Sequence, residues 1–96
     1  MDLYELLKLK KQEIIDIAQK HGAYNIRIFG SVARHTAGEN SDIDFLIDIG
    51  PNTSFFFPGG LIADLEKLLG KKVDIATERS LKPRMRETVL KEAKAL

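Results

Sequence analysis

The 96 residues carry 15 Lys+Arg against 14 Asp+Glu, a net charge of +1, with 44% hydrophobic residues and no cysteine. That balance predicts one globular domain over 1–96, excludes disulfides and cysteine zinc sites, and offers no general field for nucleic acid, so no direct DNA binding is expected. Met1-Asp2-Leu3-Tyr4-Glu5 lacks an apolar signal core and no run approaches the ~18 apolar residues of a membrane span, so the expectation is a cytoplasmic chain with no membrane partner.

Leu3, Leu6, Leu7, Ile14, Ile15 and Ala18 fall at helical spacing opposite a lysine-rich face, which predicts one amphipathic helix over 3–20, ended by Gly22. Tyr24, Ile26 and Ile28 alternate with Asn25 and Arg27, a first strand running to Phe29. Ser31 is placed to cap a short helix to Thr36, residues 37–40 read as loop, and 42–49 form a second strand closed by Gly50-Pro51-Asn52-Thr53. Phe55-Phe56-Phe57 and Pro58-Gly59-Gly60 interrupt regular structure. Helical spacing returns at Leu61, Ile62, Leu65, Leu68 and Leu69 and stops at Gly70. Residues 71–76 form a third strand around Val73, Asp74 and Ile75, and Pro83 sits in the first turn of a last helix, where its missing N–H costs nothing. The order αβαβαβα predicts an α/β fold, a small three-stranded sheet with packed helices. The first two strands are joined too closely for a full crossover, so the sheet is expected to be mixed.

The chemistry lies in the acids. Asp42 and Asp44, two residues apart on a strand, point the same way with backbones roughly 6.5–7 Å apart. Asp74 stands between Val73 and Ile75, and a carboxylate there is costly to bury unless it is paired or bound to a cation. If the third strand lies beside the second, the three acids converge into a cluster suited to Mg²⁺. Two ions would share Asp42 and Asp44, with Asp74 on the nucleophile's side. Gly30 lets the backbone come close to a phosphate, Ser31 adds a hydroxyl, and the following amides are free for a polyphosphate. Arg34, one turn on, can balance phosphate charge or hold an acidic side chain of the site in place. Each feature alone has an ordinary reading: a common turn, a solvated strand end, an edge-strand charge, a surface ion pair. Their joint occurrence, in this order, points to metal-assisted transfer of a nucleotide.

Other candidates fall away. Asp48 shares the face of Asp44 but lies about 13 Å further along an extended strand. His21 and His35 have no partners at ligand spacing and read as helix-end or loop residues, while Tyr4 and Tyr24 read as core or half-buried. Ser31 lacks a His-Asp set. An EF-hand loop is excluded by Leu46 and Ile47, an aspartate-nucleophile phosphatase by Asn40-Ser41 ahead of Asp42, and the P-loop pattern is absent.

Gly30, Ser31, Arg34, Ser41, Asp42, Asp44 and Asp74 stand in the pattern Gly-Ser, Arg three on, Ser-Asp-x-Asp, then a later single Asp. With the Leu-Gly-Lys-Lys-Val-Asp run at 69–74 and the closing Leu81-Lys82-Pro83 helix, the chain resembles the minimal (MNT-type) nucleotidyltransferases of the DNA polymerase β-like superfamily. His35, where that family usually has glycine, and the phenylalanine-rich segment at 55–60 are departures, and neither touches the acids. The resemblance implies a polymerase β-like core, with Asp42, Asp44 and Asp74 as catalytic metal ligands and Gly30, Ser31, Arg34 and Ser41 on the nucleotide. It further implies an antitoxin that uses Mg²⁺ and ATP to place AMP on a tyrosine hydroxyl of a HEPN-type toxin partner. Two alternatives stay open: steric masking of the toxin without catalysis, and transfer to a small-molecule or RNA hydroxyl. Against the second, 96 residues leave no room for a substrate-gripping second domain. The basic tail (Arg79, Lys82, Arg84, Arg86, Lys91, Lys94) reads as a solvated face, or as a surface for phosphates or an acidic partner.

Overall fold

The N-terminal amphipathic stripe folds as two helices rather than one, α1 (Leu3–Leu9) and α2 (Lys11–Lys20). In the computed structural model, which describes residues 2–51, 53 and 57–96, the break falls at Lys10. Its N–H still reaches the carbonyls of Leu6 and Leu7, but ψ swings to 13°. Leu7 before the bend and Ile14 and Ala18 after it lie in one core. Periodicity reports which side is apolar and is nearly blind to a one-residue bend. Asp2 caps α1, its carboxylate accepting the Glu5 N–H at 2.8 Å.

Strands β1 (Ala23–Phe29), β2 (Ile43–Ile49) and β3 (Val73–Ala76) follow in the expected order, with α3 (Gly30–Ala33) after β1 and α4 (Gly59–Leu69) after β2. A 3-10 turn (Glu78–Ser80) and α5 (Pro83–Glu92) lead to a further strand, β4 (Lys94–Ala95). Among the described residues the sheet therefore has four strands, not three, in the order β3-β2-β1-β4. Two residues carry no readable alternation, which is why β4 left no trace in the pattern. β1 runs antiparallel to β2 and β4, and β2 runs parallel to β3. The β1–β2 connection, with its single turn of helix, makes an antiparallel return, whereas α4 spans the parallel crossover to β3.

Alternation along β2 sends Ile43, Phe45 and Ile47 into the cluster formed with Leu7, Ile14, Leu61 and Leu65. Asp44, Leu46 and Asp48 take the other face. Two local expectations shift. The short helix starts at Gly30 without a side-chain cap from Ser31, because the turn is made by Gly30 at φ +74°. Asp42 lies immediately before β2, not inside it. Tyr24, expected as core or half-buried, is 54% exposed, and Phe57 packs against the core, while Phe55 and Phe56 lie outside the described residues. Phe45 is fully buried. Phe45→Ala is expected to lower stability by about 3–5 kcal/mol, read as a fall in the urea midpoint at unchanged slope.

Candidate active site

Parallel pairing of β2 with β3 sets Ile43 against Val73 and Asp44 directly against Asp74. The apolar residues of this register bury themselves, and the two acids are thereby held side by side on the opposite face. The Asp74 side chain comes within hydrogen-bonding reach of Asp44, and Asp42 adds a third charge nearby. Burial first, then the Asp74 charge and hydrogen bond, then Asp42, push the Asp44 carboxyl up to about 6, against a smaller opposing pull from Arg34. Two carboxylates at this range share either a proton or a cation. Oxygen-only donors with too little positive charge around them fit a hard divalent ion such as Mg²⁺. Among the described residues, no three acidic or histidine side chains stand close enough together to hold a metal ion as they are placed.

The glycine turn forms the adjoining wall. A Cβ on Gly30 would collide with Oδ2 of Asp44 and lie 3.3 Å from its Cγ, so only glycine lets the backbone stand this close to the acid. Ser31 follows on the same turn, half-buried. Ser41 and Arg34 are each tied to a partner within the fold. The Ser41 hydroxyl accepts the Gly38 N–H at 2.8 Å, and the Ser41 N–H donates to the Gly38 carbonyl at 3.2 Å, closing the turn that delivers Asp42. Arg34 pairs with Glu92 at the end of α5, at 3.0 Å. That glutamate also accepts the Gly30 N–H at 2.6 Å. Sequence reasoning missed Glu92 because 62 residues separate it from Gly30 and no local spacing links them.

Beside Asp42 opens a cleft of about 400 Å³, bounded by Glu39, Asn40, Ser41, Gly70, Lys71 and Lys72. The remaining candidates lie in other contacts. Asp48 bonds Arg27 at 2.8 Å and Asn25 at 2.9 Å, His21 bonds Asp64 at 2.7 Å, and His35 bonds Asp2 at 2.6 Å.

Clustered carboxylates beside a turn that admits an anion belong to the enzymes that transfer phosphoryl and nucleotidyl groups. Known proteins of similar sequence narrow that class. A family model described as a nucleotidyltransferase domain matches residues 2–96, and the chain belongs to this nucleotidyltransferase family. A candidate protein adenylyltransferase of Methanocaldococcus jannaschii is 42% identical over 83 residues, 86% of this chain and 89% of its own. The protein adenylyltransferase MntA of Thermococcus cleftensis is 35% identical over 91 residues, 95% of this chain and 89% of its own. Among solved structures, one described as a candidate minimal nucleotidyltransferase superposes with a TM-score of 0.84 at 43% identity, covering 100% of this chain and 97% of that one. A toxin–antitoxin structure with AMP-PNP gives 0.73 at 24% identity, covering 88% and 70%, a likeness of fold.

Two outcomes follow from the geometry. Because the folded pKa of Asp44 is raised, the native state holds its proton more tightly than the unfolded chain, and stability contributed at Asp44 falls as pH rises from about 4 through about 6. Without divalent cations, Asp44→Asn is expected to raise the melting temperature at pH 7.5 and to flatten this part of the pH profile relative to wild type, measured by circular dichroism. Gly30→Ala meets both the positive φ and the Asp44 carboxylate. It is expected to cost about 1 kcal/mol or more of stability and to lower nucleotide affinity, read by calorimetric titration with a non-hydrolysable ATP analogue.

Proposed function

We propose that this nucleotidyltransferase moves AMP from ATP to a tyrosine hydroxyl of a HEPN-type toxin and thereby acts as its antitoxin. The observation that carries this reading is the facing of Asp44 and Asp74 across the parallel pair, with Asp42 beside them and Gly30 against Asp44. The names of the similar proteins support protein as the acceptor, and toxin–antitoxin structures share the fold. Asp42, Asp44 and Asp74 would hold Mg²⁺. When bound, it supplies Lewis-acid activation of the attacking hydroxyl and neutralises charge on the triphosphate.

The chain's own groups do the rest. The Gly30-Ser31 turn offers close backbone approach for the phosphates beside Asp44. The tyrosine oxygen bonds to that phosphorus, the bond to the bridging oxygen breaks, pyrophosphate leaves, and the phenolic proton passes to solvent. The cleft beside Asp42 leaves this side of the site open, so a protein acceptor can bring its own docking surface.

The test is to purify the chain with the product of the neighbouring reading frame, add ATP and Mg²⁺, and weigh the partner by mass spectrometry. Mass increases in AMP steps are expected on a tyrosine peptide. Asp42→Asn and Asp44→Asn are expected to lower transfer on the order of 100-fold or more while the fold persists. If both variants neutralise the toxin fully in cells, masking rather than transfer is the mechanism.

A further inference from the structure

Glu92 reaches from the C-terminal end of α5 to the glycine turn and gathers donors from two sources. Its Oε1 accepts the Gly30 N–H at 2.6 Å, and both its oxygens take Arg34 Nη1 at 3.0 Å. The Glu92 side chain is 21% exposed and that of Arg34 is 54% exposed. A half-exposed ion pair alone would contribute little, whereas a charge-assisted bond from a carboxylate to a backbone amide is among the stronger contacts available.

The place of that amide gives the contact its meaning. Gly30 is the residue whose backbone stands against Asp44, so whatever holds its N–H sets the distance between the turn and the acid. Glu92 is itself held from both sides. Ala93 donates its N–H back to Val89 at 2.9 Å, and Lys94 and Ala95 then pair with Ile28 and Arg27 on β1, the strand that feeds the turn. Arg34 has a second effect: its positive charge offsets that of the Glu92 carboxylate it pairs with.

We propose that Glu92 is a positioning residue of the nucleotide site, its Arg34-neutralised carboxylate fixing the Gly30 amide and with it the turn that faces Asp44 and the incoming triphosphate. The assignment rests on the nucleotidyl-transfer reading above and gives Arg34 a role through Glu92 rather than directly on phosphate.

Wild type, Glu92→Gln, Glu92→Ala, Arg34→Ala and the double Arg34→Ala/Glu92→Ala variant are compared well below their melting temperatures. The measurements are KM for ATP, kcat, affinity for a non-hydrolysable ATP analogue, and hydrogen exchange of the Gly30 amide by NMR. Glu92→Ala is expected to raise KM for ATP about 10-fold with a smaller change in kcat, and to speed exchange at Gly30. Glu92→Gln, which keeps an acceptor but not the charge, is expected to fall between. The double variant is expected to lose less than the product of the two single losses. An unchanged KM and unchanged Gly30 exchange in folded Glu92→Ala would reduce the residue to a brace for α5 and overturn the proposal. A lower KM overturns it too, because Glu92 would then compete with the triphosphate for its donors. If Glu92→Ala does not fold, Glu92→Gln and Arg34→Ala carry the same comparison. Gly30 exchange is read without nucleotide, so a wild-type chain that transfers no AMP would sink the functional reading while exchange still judges Glu92.

Discussion

Everything distinctive in this molecule follows from one pairing, the parallel ladder of β2 and β3. Its register is set by apolar residues: Ile43, Phe45 and Val73 are all buried, and a slip of one position would expose them. The same register has an electrostatic consequence on the other face, where Asp44 meets Asp74. Hydrophobic burial on one side of the sheet thus holds together a pair of acids that would separate if left to themselves. The raised proton affinity of Asp44 marks its burial first, and then the charge of Asp74 held beside it. A site of this kind is ready for a cation or for the charged centre of a reaction, since the fold has already met the cost of assembling it.

The second constraint is steric and comes from the opposite neighbour. β1 delivers Gly30 beside Asp44, and the positive φ of that glycine turns the chain directly into α3. A side chain at this position would fill the space between backbone and acid. The C-terminal segment then closes the arrangement, through Glu92 on the Gly30 amide and through β4 on the edge of β1. Asp44 and Asp74 are consequently gripped by β2 and β3, and the turn by residues from the end of the chain.

Much of this could be read from residue order. The alternation along β1 and β2, the apolar stripe over α1 and α2, the Gly70 stop and the Pro83 start each reflect a local preference for backbone shape or a face that needs burial. The mixed character of the sheet was legible too, from a β1–β2 connection too short to cross over. The break at Lys10 and the two-residue β4 were not, because neither alters the periodicity on which such reading depends. At the site, residue order offered Arg34 as a holder of an acidic side chain without saying which, and only the fold names Glu92 as that partner and sets Ser41 in the Gly38 turn.

By itself, the order of residues determined the inventory: which acids sit in apolar strands, where glycine permits a tight approach, and which family pattern they form. Those properties are local, decided by neighbours a few positions away. Only the tertiary structure decided who meets whom. That Asp74 faces Asp44 depends on which strand lies beside which, and that Glu92 takes the Gly30 amide depends on where α5 ends in space. Such contacts are chosen by burial of the whole core, and burial of the whole core is not written in any single stretch of chain.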